Sequence, residues 1–255
     1  MNIILVNDGK GVNFELNIFN NTAAVIQSPY AKDSILIQRY INFQNRLFTI
    51  TTIKMKSFYR NKNIKSISFS NDSELLTIEE EAFEFSSLES IQIPSSVISI
   101  GKSAFCGCSN LIFVNIPHDS KMSVISKSLF SSTGIKSFDL PPSIVRIEKN
   151  AFSSSSFEVL NISNDSKLVY IGEKAFESSK IKSLFIPPLI QKLEEEWCFE
   201  TCELTKIYIS PKNQFFSLID EKIVVSKSDI NAPNYDTLCF AVRNIESIII
   251  PSFIK

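Results

Sequence analysis

The chain has 255 residues, of which 44% are hydrophobic, and a formal net charge of −1. That length and apolar content indicate a folded chain of one or two domains. A near-neutral balance with dispersed Lys and Arg argues against a nucleic-acid surface, which needs a basic stripe to displace phosphate counterions; with only 6 Gly, phosphate-cradling loops are not expected either.

The start, MNIILVNDGK, lacks the charged n-region of a signal peptide, and its apolar run stops at Val6. No apolar run reaches the ~18 residues of a membrane-spanning helix. A cytosolic protein, unconventional export, or targeting segments missing from this sequence are the readings left open. Residues 1–11 have no assigned role. Phe14–Phe19 and Thr22–Gln27 read as two strands around a tight turn at Asn20-Asn21. Ile35–Ile37, Phe48–Ile50 and Ile53–Phe58 look like an imperfect first repeat. Residues 1–60 are therefore expected to form a strand-rich cap, since terminal repeats must shield the first core layer.

From there a repeat of about 23 residues fills the chain. Residues 88–105 read LESIQIPSSVISIGKSAF, 135–152 read IKSFDLPPSIVRIEKNAF, and 181–199 read IKSLFIPPLIQKLEEEWCF. Longer units at 64–83, 111–130 and 157–176 alternate with them. Each has an alternating aliphatic strand, a corner, a second aliphatic pair, and a small residue followed by Phe. The marks are Phe58, Phe83, Phe105, Phe130, Phe152, Phe176 and Phe199. Short units leave the strand through Pro94, Pro141-Pro142 or Pro187-Pro188, because proline removes a ladder donor. Two long units carry Asn-Asp-Ser instead, at 71–73 and 164–166; the third has His118-Asp119-Ser120. The Ala-Phe step is expected in a short helical turn. The fold predicted for 61–209 is a right-handed leucine-rich-repeat solenoid of about eight rungs, in the β-dominant part of the α/β horseshoe class. Parallel strands would line the concave face, and short helical turns the convex side.

Several residues invite chemistry. Cys108 and Cys202 each follow a repeat Phe by three positions, a place held elsewhere by Ser86, Thr133, Ser155 and Ser179. Four rungs at ~4.8 Å separate them by roughly 20 Å, far beyond the ~7 Å a disulfide tolerates. The position reads as a small-residue ladder with reduced thiols. His118, the only histidine, falls in a turn, so no Ser-His-Asp or Cys-His arrangement has a base beyond it. Cys106-Gly-Cys108 is half a zinc site without a second pair nearby. Glu79-Glu80-Glu81 and Glu194-Glu195-Glu196 read as favourable charge at the N-terminus of a short helical turn. No catalytic, metal or cofactor residue is therefore assigned. Sequons stand at Asn20, Asn71, Asn161 and Asn164, and matter only in a secretory pathway.

After Ile209 the spacing breaks. Residues 210–255 are expected to hold a β-hairpin, Lys222–Ser226 with Thr237–Ala241, followed by a last rung at Ile245–Ile250. The chain then stops just inside a turn, which exposes a rung edge and allows self-association through that C-terminal edge. Period-two alternation decides which strand residues point outward. Early rungs present Ser66, Ser68, Ser90 and Gln92. Later ones present Phe185, Lys206, Tyr208 and Ile249, the apolar and aromatic character expected of a protein-binding hot spot. Two outcomes are open: these side chains form a binding surface, or the hairpin folds over them.

The units LESIQIPSSVISIGKSAFCGCSN and IKSFDLPPSIVRIEKNAF resemble the BspA-like leucine-rich repeat of bacterial and protozoan surface antigens. The pattern is strand, I-P-x-S-V, x-x-I-G-x-x-A-F, then small-x-Cys, and it matches 58–209 directly. FELNIFNNTAAVI resembles the family's N-terminal strands. ISPKNQFFSLIDEKIVVS resembles its hairpin module, with Glu221 where Gly is usual. The resemblance implies a non-enzymatic adhesion or protein-recognition role without cofactor. It also implies a protein partner such as a host surface or matrix protein, no nucleic acid or membrane insertion, and a cell-surface or secreted location. A cytoplasmic scaffold of the same fold is the alternative.

Overall fold

A computed structural model describes residues 3–198, 200, 203–229, 232–242, 247 and 249–254. The N-terminal cap holds six strands: β1 (Ile3–Asn7), β2 (Asn13–Asn17), β3 (Thr22–Ile26), β4 (Asp33–Ile37), β5 (Tyr40–Phe43) and β6 (Arg46–Ile53). The solenoid then alternates longer and shorter strands. These are β7 (Ile64–Phe69), β8 (Thr77–Ile78), β9 (Ser90–Gln92), β10 (Ser99–Ile100), β11 (Phe113–Asn115), β12 (Val124–Ile125) and β13 (Ser137–Asp139). There follow β14 (Arg146–Ile147), β15 (Val159–Asn161), β16 (Tyr170–Ile171), β17 (Ser183–Ile186), β18 (Lys192–Leu193) and β19 (Lys206–Ile209). The last three are β20 (Phe216–Ile219), β21 (Ile223–Ser226) and β22 (Thr237–Ala241).

Parallel pairing sorts the solenoid strands onto two faces. β4-β7-β9-β11 and then β13-β15-β17-β19 form the first face, eight strands in all; β6-β8-β10 and then β12-β14-β16-β18 form the second. Inward positions on the first face, such as Ile67, Ile91, Phe138, Leu184 and Ile207, are buried. The core runs without interruption from Val12 to Val242.

The third side of each rung is where the expected helical turn fails. There is no α-helix among the described residues. Two residues per rung sit at positive φ, one before the small residue and one two places after the Phe: Glu81 (57°) and Phe85 (57°), Asn150 (58°) and Ser154 (54°), Glu196 (56°) and Glu200 (56°). A left-handed residue ends any helical run. The N–H groups there bond across to the next rung instead of along the chain. Phe83 N donates to Ala104 O (2.8 Å) and Phe85 N to Cys106 O (2.8 Å), and the same pairs recur at Phe130 and Phe152. This is a third hydrogen-bonded ladder, made of turns.

Inside that ladder the Phe rings stack. Phe58–Phe83, Phe83–Phe105, Phe105–Phe130, Phe130–Phe152 and Phe152–Phe176 have centroids 5.0, 5.1, 5.7, 5.5 and 5.7 Å apart. The series ends at Phe176. Its N–H donates to Trp197 O (2.9 Å), so Trp197 takes the Ala place and Cys198 the Phe place. Phe199, expected as the seventh mark, lies outside the described residues. In this register the last short unit is 181–198, the same length as 88–105 and 135–152, so the alternation of the array is regular.

That alternation has a local cause. Every corner is a four-residue β-turn, whether proline opens it or not: Val97 N bonds Pro94 O, Ile144 N bonds Pro141 O, and Ser73 N bonds Ser70 O. In short units the residue closing the turn, Val97, Ile144 or Ile190, is the next core side chain. In long units it is Ser73, Ser120 or Ser166, whose Oγ accepts from the backbone N–H two residues on at 3.2–3.3 Å. The chain then delivers Leu75, Met122 or Leu168 to the core two residues later.

The glutamate triplets have no helix to cap. They enter ion pairs between rungs: Lys56–Glu81 (3.1 Å), Lys102–Glu80 (2.9 Å) and Lys174–Glu196 (3.5 Å). Solvent screens such exposed pairs, so they align the rungs more than they stabilise the fold. The cap also departs from expectation. Residues 1–11 include β1, paired antiparallel with β2 along its whole length. β5 and β6 form a hairpin closed by Gln44 (φ 52°) and Asn45 (φ 60°), a turn with both central residues left-handed. At the C-terminal end, β20-β21-β22 is a three-stranded antiparallel sheet rather than one hairpin, with a similar turn at Asp220 (φ 50°) and Glu221 (φ 57°).

Cys106, Cys108 and Cys239 are free thiols; Cys202 lies outside the described residues. The position of Cys108 is a buried ladder with Asn61, Ser86, Thr133, Ser155 and Ser179. Thr133, Ser155 and Ser179 each donate to the carbonyl of their own rung's Phe at 2.6–2.8 Å. Burial pushes the Cys108 thiol up to about 11 and raises Cys106 and Cys239 as well.

Three outcomes test this architecture. Phe130→Ala should lose ~3–5 kcal/mol in a denaturant titration, as a buried aromatic stacked on both neighbours. At exposed Ser154, a β-branched residue cannot easily hold the left-handed backbone. Ser154→Val should therefore cost ~1–2 kcal/mol, and Ser154→Gly should lie within ~1 kcal/mol of wild type. In thiol labelling at neutral pH, native Cys106 should react before Cys108, and all five cysteines should label after denaturation without reductant.

Candidate protein-binding face

Period-two alternation places the candidate side chains. On β17 and β19, Leu184, Ile186 and Ile207 turn into the core, so Ser183, Phe185, Lys206 and Tyr208 turn outward. The strands pair in parallel with Ser183 opposite Lys206 and Phe185 opposite Tyr208. Phe185 is half-buried and Tyr208 is 57% exposed. Lys206 is exposed and makes no ion pair among the described residues. Ile249 is 89% exposed. Of its expected strand, Ile245–Ile250, residues 245, 246 and 248 lie outside the described residues.

Two columns run along this face. One carries Ser90, Phe113, Ser137, Val159, Ser183 and Lys206; the other carries Gln92, Asn115, Asp139, Asn161, Phe185 and Tyr208. Phe113 and Val159 are exposed too. The apolar character therefore starts earlier than a reading centred on Phe185 and Tyr208 anticipates. Period-two alternation turns both residues outward, and their column neighbours Ser90 and Ser137 are too small to cover them. Within the second column, Asn161 Nδ2 donates to Asp139 Oδ1 (2.6 Å). Along the rim, Lys182 pairs with Glu158 (3.0 Å) and reaches Glu203 (3.9 Å). That contact lowers the Glu158 carboxyl and raises the Lys182 ammonium.

The β20-β21-β22 sheet stands beside this face and leaves Tyr208 uncovered. A crevice of about 760 Å³ separates the two, lined by Lys206, Tyr208, Ser217, Leu218, Lys222 and Tyr235 among others. Buried Asn213 fixes its floor. Its Nδ2 donates to Pro187 O (2.9 Å) and Ile190 O (3.0 Å), and its Oδ1 accepts from the N–H groups of Phe215 and Phe216 (both 2.8 Å). The start of the sheet is thereby tied to the rung before β19. Trp197 adds a second tie, with its ring 5.4 Å from Phe240 of β22.

His118 is exposed in its corner. Among the described residues, no three His, Cys, Asp or Glu side chains are grouped to hold a metal ion, and no helix is long and apolar enough to cross a membrane. What the arrangement offers is shape and surface: two aromatic side chains in adjacent rungs, an unpaired ammonium, and a polar crevice edge.

The fold has counterparts. A leucine-rich cell surface protein of Faecalibacterium prausnitzii A2-165 superposes with a TM-score of 0.74 at 19% identity, over 98% of this chain and 65% of its own. The pneumococcal vaccine antigen PcpA superposes with a TM-score of 0.51 at 19% identity, over 99% of this chain and 60% of its own. The chain thus spans less than two thirds of the length of either. No curated protein sequence matches it. The model of the BspA-type leucine-rich repeat region matches in six copies, over residues 38–158, 114–220 and 145–255. With that coverage, the chain belongs to the BspA-type leucine-rich-repeat family.

Proposed function

We propose that this solenoid recognises a partner protein without catalysing a reaction, through the outward face of β17 and β19 and the adjoining crevice. The observation that carries the reading is the in-register pair Phe185 and Tyr208, with Tyr208 open to solvent. A tyrosine supplies large contact area with only two torsions to freeze, and interface hot spots are enriched in it. Lys206 adds a charge that favours an acidic or polar rim on the partner. In this reading residues 1–60 cap the array, 61–209 build the recognition surface, and 210–255 frame its C-terminal border, with Ile249 extending the apolar surface.

A cell-surface setting is supported by the two similar structures, one of a cell surface protein and one of a vaccine antigen. The partner class that fits such a setting is a host surface or matrix protein. A second reading, an intracellular scaffold, draws on one observation: Cys106, Cys108 and Cys239 are unbridged, as in a reducing compartment. Antibody staining of intact against permeabilised cells separates the two settings.

For the site, the expected outcome is a loss of about thirtyfold in affinity for Tyr208→Ala, the ~2 kcal/mol typical of a truncated hot spot. Titration calorimetry against a confirmed partner measures it. Ser68→Ala, on the polar N-terminal rungs, should bind as wild type does. Unchanged affinity of Tyr208→Ala would move the site elsewhere.

A further inference from the structure

The N-terminal sheet ends in an edge that lacks the usual protection. Its strand order begins β1-β2-β3, and among the described residues nothing pairs with the other side of β1. Natural edge strands are blunted by charge, proline, a bulge or a cover, because a bare edge templates pairing with another chain. Ile3–Asn7 reads IILVN and contains neither a charge nor a proline. Its register with β2 is unbroken, so it has no bulge. The first-face edge is different: β4 begins at Asp33, next to Lys32, with φ of 59° and a register shift at Asp33/Ser34.

The backbone of β1 can be assigned group by group. Asp8 N donates to Val12 O (3.0 Å), closing the β1–β2 loop with a bonded pair. Opposed residues in an antiparallel ladder alternate between bonded and unbonded pairs. Asn7 and Asn13 are therefore unbonded through the backbone, which fits the 2.7 Å contact between their side-chain amides. Leu5 with Glu15 and Ile3 with Asn17 follow as unbonded pairs. The N–H and C=O groups of Ile3, Leu5 and Asn7 consequently point at the free edge. The side chains of Ile3 and Leu5, 46% and 68% exposed, stand on the outer face, while Ile4 and Val6 pack against the core.

We propose that β1 is a self-docking edge, at which two copies of this chain pair antiparallel with Ile3 of one copy opposite Leu5 of the other. The second copy is the occupant favoured by the strand itself. An antiparallel pair about a two-fold axis at Ile4 satisfies the same outward groups on both chains, and a two-fold interface needs only one self-complementary patch. Both cross-strand pairs are then aliphatic, and no charge within the strand opposes its mate. The surface is small, which places the association at the weak end of specific interfaces. The first-face strands with Phe185 and Tyr208 are not used, so the dimer would carry two partner-binding faces.

Sedimentation velocity or light scattering across a concentration series tests this on the whole chain. The wild type should rise toward twice the monomer mass, and Leu5→Lys should stay monomeric with an unchanged thermal melt. In wild-type hydrogen exchange, the Leu5 amide should slow with increasing concentration. A wild type that stays at monomer mass throughout overturns the proposal. So does a Leu5→Lys variant that dimerises as the wild type does, which would place self-association at another surface such as the C-terminal edge. Concentration-independent exchange at Leu5 overturns it even if the variant misfolds.

Discussion

The stacking of one phenylalanine per rung inside the turn ladder is the contact on which the rest of the structure depends. The two strand faces are interrupted at successive junctions, on either side of the rung 111–130: no strand ladder joins β10 to β12 or β11 to β13 among the described residues. The turn ladder and its rings span both junctions. Phe105 and Phe130 stack at 5.7 Å with Ser103 N donating to Lys127 O (3.0 Å), and Phe130 and Phe152 stack at 5.5 Å with Ser128 N donating to Lys149 O (3.0 Å). Rungs repeat at ~4.8 Å in a parallel ladder, and offset aromatic rings are comfortable at centroid distances of ~4.5–7 Å. The two spacings are commensurate for a flat ring the size of Phe. The side chain thus fixes the pitch at which the strands can pair, rather than filling space left by them.

Holding the ring inward has a backbone cost. Two left-handed residues per rung bracket the Phe, and only Gly107 among those brackets is a glycine. Non-glycine residues there cost ~1–2 kcal/mol each. The conformation persists because the bracket N–H groups from Glu81 to Ser154 are bonded to the neighbouring rung, so the strain there is over-determined by the array. Gly107 has a further reason. A Cβ on it would lie 2.3 Å from Cδ1 of the Phe85 ring, which rests against that turn. This architecture explains why Ser, Asn, Lys and Glu can share one backbone position: the cross-rung bonds, not local propensity, hold it.

That also marks the limit of what could be read from the residues. The strands, the corners and the Phe repeat were legible because period-two burial and the Ala-Phe step leave marks in side-chain type. The left-handed turns were not, since Ser and Glu at those places also suit a helical turn, and a ~23-residue period does not distinguish the two. The β5–β6 hairpin was hidden because Gln44-Asn45 carries the turn without glycine. The strand β1 was hidden because IILVN alternates weakly, although its partner β2 follows after only the loop 8–12. At the candidate face, direction could be read and exposure could not. Phe185 and Tyr208 were placed outward by alternation, but whether the following sheet covered them depended on where Asn213 and Trp197 pin it.

Trp197 is where the array's regularity and its site meet. The indole stands in a place given to Ala in most other rungs, and it meets the Phe176 ring edge-on, at 87° and 6.3 Å. An edge-to-face contact is favourable but cannot seed another parallel ring above it, and the Phe position of that rung is Cys198. The aromatic stack therefore terminates within the chain. Trp197 covers that last ring and packs in turn against Phe240, carried on β22, which brings the antiparallel sheet against the end of the core. Asn213 supplies the polar half of the same closure by satisfying the carbonyls of Pro187 and Ile190. A sheet held at those two points lies over the end of the stack and to the side of β19. The geometry that closes the core thus leaves the outward side of Tyr208 in solvent and opens the crevice beside it.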